Sequence, residues 1–364
     1  MKILKNITTT TMVMALLLVS SLEARETKKV SNFSGSNFVE SSGTFDGNRI
    51  YADVTNNGLF LDYHISGDSA LEWPKGTGVH SIFQSALWMG ATVNGQIRTI
   101  VGDYTQDMGP GPYGGDPLAA VHRIYKVNKS MLDDPASHDD FQNWPTDWGA
   151  PWVDADGDGV YTPLPAGPDH PEFIGDQVIW FVSNDGDIAY KLNFGTDPMG
   201  VEIQTTMFGY DRIDAIGDML FVKQLVINKG GDDLVDTYMG LWSDPDLGYA
   251  GDDFVGCNVD LGMGYVWNDG ADSQYDNLDI GTPAAGYDFF QGPKVPCDDP
   301  TDTVECPAQG AKMFGTYFPG EKNLKMSSFA FYINGDATYT DPSDETEGYY
   351  YLQGLRKDGS AYPT

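Results

Sequence analysis

Basic residues are scarce in this chain: 21 Lys and Arg stand against 53 Asp and Glu, a formal net charge of −32 over 364 residues. A surface of that sign repels nucleic acid and anionic lipid and attracts cations, so nucleic acid is excluded as a partner. Cysteine is limited to Cys257, Cys297 and Cys306, and no CxxC pair occurs. Long apolar runs are missing too. The run over residues 12–19 falls far short of the roughly 20 residues that span a bilayer. Catalytic signatures are equally thin, with no Walker loop, HExxH pair or G-x-S-x-G elbow. "GPGPYGG" matches the dinucleotide fingerprint in form through Gly109, Gly111 and Gly114, but Pro110 and Pro112 remove amides that would cradle phosphate. His64, His80, His122, His138 and His170 are scattered singly. Nothing here nominates a catalytic residue, and the chain reads as non-enzymatic.

Glycine and proline are plentiful, 43 and 21 residues, and they punctuate the chain too often for long helices. The expected fold is therefore all-β, a large antiparallel β-sandwich with long Gly/Pro/Asp-rich loops and little helix. Residues 1–24 have the layout of a secretory signal: Lys2 and Lys5, then the short apolar run, then small residues up to Ala24. No membrane span is expected after its cleavage. A polar linker is expected over 25–44 and the β-sandwich region over 45–364, ending without a closing strand, as a truncated chain would. Asn94-Gly95, between two apolar alternating runs, predicts a two-residue hairpin turn. Strands are expected at "DQVIWFVSND", "VEIQTTMFGY", "DMLFVKQLVINKG", "DTYMGLWSD", "GMGYVWND" and "MSSFAFYING", a hairpin turn at "SNDGD", and a short helix within 116–132. In an exported chain the cysteines can pair. Sequence does not separate the three pairings, but the short acidic loop between Cys297 and Cys306 favours that one.

The carboxylates are clustered. "PWVDADGDGVYTP" places Asp154, Asp156 and Asp158 at alternate positions, followed by Gly159 and Val160. Calcium takes about six to eight oxygen ligands, and this is the first half of a calcium loop: acids at positions 1, 3 and 5, Gly at 6, a carbonyl at 7. Pro165 stands where an EF-hand carries its bidentate Glu, and Pro163 and Pro168 forbid the exiting helix. The loop, over 152–176, needs a later acid, and Asp169, Glu172 and Asp176 are the candidates. A second cluster, Asp244, Asp246, Asp252 and Asp253, matches no standard spacing and is a second candidate site. Trp144, Trp148 and Trp152 either stack on sugar rings or pack beneath the loop.

The order of segments "VDADGDGVYTP", "GDQVIWFVSND", "VINKG", "DTYMGLWSDPDLG" and "PAAGYDFFQGP" resembles that of large uncharacterised exported proteins of Bacteroidetes-like and marine bacteria. Members commonly end in a type IX secretion sorting domain, a tail this sequence does not contain. The resemblance implies export and a cell-surface or secreted location, and carries no activity. Two functions follow as expectations: a calcium-stiffened structural or adhesive surface module, partnered by cell-surface proteins or polysaccharides, or a carbohydrate-binding or glycan-processing protein.

Overall fold

The computed structural model describes residues 41–363, apart from 65, 66, 68, 300 and 304. The expected signal and most of the expected linker lie outside these residues. The first strand, β1 (Ser42–Phe45), begins inside the stretch read as linker. It pairs with β2 (Tyr51–Thr55), followed by β4 (Leu71–Glu72) and β5 (His80–Ile82), in a first antiparallel sheet. A second sheet orders β15 (Val235–Asp244), β6 (Gln84–Val93) and β3 (Leu59–Leu61), with β7 (Gln96–Ile100) also on β6. The third runs β14 (Phe221–Asn228), β13 (Val201–Gly209), β12 (Gln177–Asn184) and β8 (Gly109–Pro110), with β9 (Tyr125–Asn128) also on β12. Four smaller antiparallel units are β10 (Trp152–Val153) with β11 (His170–Pro171); β16 (Asp253–Asn258), β17 (Met263–Asn268) and β18 (Ala285–Asp288); Lys294–Pro296 with Glu321–Asn323; and Ala311–Met313 with Thr316–Phe318. The fold is all-β, as expected.

Side chains alternate across a strand, and that parity assigns the layers. On β12, Ile179 and Phe181 face the first sheet, packing with Phe45, Ala52, Val54 and Ile82. Val178, Trp180 and Val182 face the other way, onto Trp144, Phe141 and the loops of residues 131–173. Every residue of β12 is buried, which is why it reads as an unbroken apolar run. On β6, Leu87, Met89, Ala91 and Val93 meet Val201 and Ile203 of the third sheet. Ala86 and Trp88 turn to Trp242 and to Tyr351 and Leu352 of the helix Glu345–Leu352. The sheets thus stack face to face with a helix closing one side.

Asn94 and Gly95 have φ of 51° and 81° between paired Val93 and Gln96, so the hairpin turn forms as read. Cys297 and Cys306 are disulfide-bonded, with Cα atoms 5.7 Å apart, and Cys257 is a free thiol. Two local expectations fail and one holds only in part. The segment 116–132 carries β9, because Tyr125 and Val127 alternate into the core against β12, and turns helical only at its end, in the short 3-10 stretch Lys129–Asp133. Residues 326–335 form no strand, and Ala330 and Tyr332 instead pack on the Trp88–Trp242 cluster. "SNDGD" is no hairpin turn. Asp185 within it is buried, accepts the Met199 and Val201 amides at 2.8 and 2.6 Å, and starts a longer connection to β13. Lys191 lies 3.5 Å from Asp107 and 3.9 Å from Asp185, with both partners and the lysine buried, and joins the second sheet to the third. Among the described residues no helix is long and apolar enough to cross a membrane.

Candidate metal centre

The acidic loop grows out of a two-residue ladder. Trp152 pairs with Pro171 and Val153 with His170, so the next position outward on each strand is Asp154 on one side and Asp169 on the other. Antiparallel pairing therefore brings together two carboxylates that are fifteen positions apart in sequence. The floor beneath them is aromatic. Trp152 and Tyr161 meet edge to face at 5.4 Å, and the Tyr161 hydroxyl donates to the Phe141 carbonyl at 2.7 Å. Burial, and then the nearby Asp169 charge, raise the Tyr161 phenol well above its ordinary range. Gln142 donates to the Leu164 carbonyl at 2.7 Å and fixes the far end of the loop.

Within the loop, Asp154 accepts the Gly157 amide at 2.7 Å and the Gly159 amide at 3.0 Å. Those two glycines have φ of 78° and 76°, a left-handed backbone that wraps the chain around the carboxylate. Asp169 is fully buried and accepts the Ala155 and Thr162 amides at 3.0 and 2.7 Å. Asp156 stands exposed above them. One oxygen from each of Asp154, Asp156 and Asp169 lies within 4.8 Å of the others, and among the described residues no other such group of three acidic, histidine or cysteine side chains forms. The Asp156 carboxyl is pushed up by desolvation and by the charges of Asp158, Asp169 and Asp154. A hard cation at the centre would remove that repulsion.

The other candidates separate cleanly. Asp158 lies outside the converging group and accepts the Val160 amide at 2.7 Å, so it shapes the turn, while Val160 itself is exposed. Of the later acids, Asp169 joins the loop. Asp176 instead accepts the Asp211 amide at 2.8 Å at the start of β12, and Glu172 is not in the group. In the second cluster, Asp244 accepts the Tyr104 hydroxyl at 2.9 Å and Asp253 the Leu247 amide at 2.9 Å. Neither these two nor Asp246 and Asp252 belong to a converging group of three. The organising residue of that region is Asp272, which the sequence reading missed. It is fully buried and accepts the amides of Tyr249, Gln274 and Tyr275 at 2.7, 2.8 and 2.9 Å. An aspartate just ahead of the short helical turn Tyr275–Leu278 was the signal for it.

Trp144 is buried, and Trp148 and Trp152 pack with it under the loop, so the three do not form a sugar platform. A separate cleft of about 560 Å³ gathers Arg98, Phe194, Asp197 and Glu345. The chain matches no protein-family model, no curated protein and no solved structure. The site must be read from its own geometry.

Proposed function

We propose that this chain is an exported, non-enzymatic structural protein of the cell surface or exterior, in which calcium closes the 154–169 loop. The observation that carries the reading is the β10–β11 register, which sets buried Asp169 beside Asp154 and under Asp156. Three carboxylate oxygens supply half of a calcium shell, and loop carbonyls and water would complete it. Magnesium demands a tighter octahedron and fits a flexible carboxylate loop less well. Calcium here is a staple: it neutralises charges the fold has forced together and stiffens a loop lying on the Trp144–Trp180 core. Surface or adhesive placement rests on the signal-like first 24 residues and on the resemblance to exported bacterial proteins.

Chelation tests the reading. Adding EGTA to the folded protein should lower its melting temperature and open protease cleavage within 154–169 before the sheets unfold. Unchanged melting and unchanged cleavage would refute it.

A further inference from the structure

The three-stranded sheet β16–β18 is packed on one face at Val266 and Ala285, with Val255 at the edge of that face 43% exposed, and carries three aromatic rings on the other. Val266 and Ala285 point inward, onto Val79, Leu247 and Tyr275. By parity the opposite face carries Phe254 on β16 and Tyr265 and Trp267 on β17, with Phe254 directly across from Trp267 and Gly256 across from Tyr265. Two of the rings are wet, Phe254 at 50% and Trp267 at 37% exposed, and Tyr265 is half-buried beside them. They also form one surface, since Phe254 and Trp267 stack at 5.8 Å between centroids and Tyr265 and Trp267 meet at 5.4 Å.

Glycine explains how the rings lie. A Cβ built on Gly256 would stand 3.1 Å from both the Trp267 and the Tyr265 ring, so those rings rest over the bare backbone. Gly286 faces Tyr265 from the next strand and leaves the far side equally low. The three rings make one continuous aromatic platform, with the Trp267 plane inclined at 29° to Phe254 and 43° to Tyr265. Exposed Asn258 and Asp288 close one end of the same face with hydrogen-bonding groups.

We propose that this platform binds a neutral polysaccharide chain. A pyranose ring is the ligand that combines a flat C–H face for aromatic stacking with hydroxyls that donate to a carboxylate or amide rim. Nucleic-acid bases would stack as well, but the −32 charge repels their phosphates, as it does a polyanionic glycan. It equally opposes a second copy of the chain on this face. The inference does not depend on calcium at the 154–169 loop. It also differs from a platform at Trp144 and Trp148, which the core occupies.

Affinity electrophoresis of the full chain through gels containing hydroxyethyl cellulose, xylan, glucomannan or laminarin tests it, with calcium in every gel. At least one polysaccharide should retard the wild type. Trp267→Ala and Phe254→Ala should each weaken that retardation about tenfold or more. Tyr317→Ala, an exposed ring on the separate strand Thr316–Phe318, should leave it unchanged. Circular dichroism checks each fold, and if Trp267→Ala does not fold, Phe254→Ala at its more exposed position decides alone. Folded wild type that no polysaccharide retards overturns the proposal, as does retardation that survives both substitutions. A concentration-dependent dimer seen by sedimentation and abolished by Phe254→Ala would assign the face to self-association and overturn it too.

Discussion

Two acidic loops of the same chain use their carboxylates in opposite ways. Over 154–169, Asp154, Asp156 and Asp169 turn oxygens toward one another until they lie within 4.8 Å. Over 244–272, the carboxylates turn apart: Asp244 to the Tyr104 hydroxyl, Asp253 to the Leu247 amide, and Asp272 to three backbone amides. Acid density is similar in the two regions, so composition does not distinguish them. The difference lies in what the backbone offers each carboxylate. A ladder that ends between Asp154 and Asp169 forces like charges together, whereas a loop that curls around one buried aspartate gives it donors and needs no cation.

The largest effect separating the two should come from Asp272→Ala. Removing a buried carboxylate that takes three amides costs about 3 kcal/mol or more, because those donors lose a charged acceptor. Urea unfolding should show that loss, while calcium binding stays intact. Loss of calcium binding in this variant would break the distinction between the loops. Next in size is the cation itself: at a hundredfold excess over its dissociation constant, calcium should add about 2.7 kcal/mol to unfolding stability. Asp156→Ala should abolish that increment, and Asp253→Asn should preserve it. Gly159→Ala is smaller, about 1 kcal/mol, since a side chain at φ of 76° is strained. It should also weaken calcium binding, whereas Gly335→Ala, at φ of 79° and outside both loops, should not.

The smallest effect is one of pH. Asp156 has its carboxyl raised in the folded state, so without metal the ionised form works against folding, and that penalty is relieved as pH falls through the raised value. With calcium bound the sign reverses, because protons compete for the same oxygens and the stabilisation fades on acidification. Melting curves recorded with calcium and with chelator should therefore separate near neutral pH and converge in acid. Curves that stay parallel across the acid range would contradict shared use of Asp156 by protons and metal.

Much of this was legible in the sequence where the physics is local. Asn94-Gly95 specifies its own turn through backbone preference, and the alternation in 201–207 places β13 correctly. The disulfide between Cys297 and Cys306 is the pairing that the short acidic loop favoured, though the sequence left all three open. The first half of the acidic loop is equally local, since Gly157 and Gly159 fold around Asp154 within a few residues. Choosing Asp169 over Asp176 was not local. It depends on a strand register fixed by pairing between Val153 and His170, and spacing alone left the alternatives level. The tryptophans were left open for a related reason: whether Trp144 is a platform or a floor is decided by what the third sheet presents to it. Within 116–132 only the end, from Lys129, turns helical, because β12 offers an open edge for Tyr125 and Val127 to join. Asp185 and Lys191 were hidden because a buried ion pair brings together distant segments and leaves no pattern in either.

Calorimetric titration of calcium into the folded chain, run beside Asp169→Asn and Asp253→Asn, tests the central claim most directly. The account predicts a saturable heat in the wild type that persists in Asp253→Asn and disappears in Asp169→Asn, with all three proteins folded. No heat in the wild type, or a heat that survives Asp169→Asn and vanishes with Asp253→Asn, would contradict it.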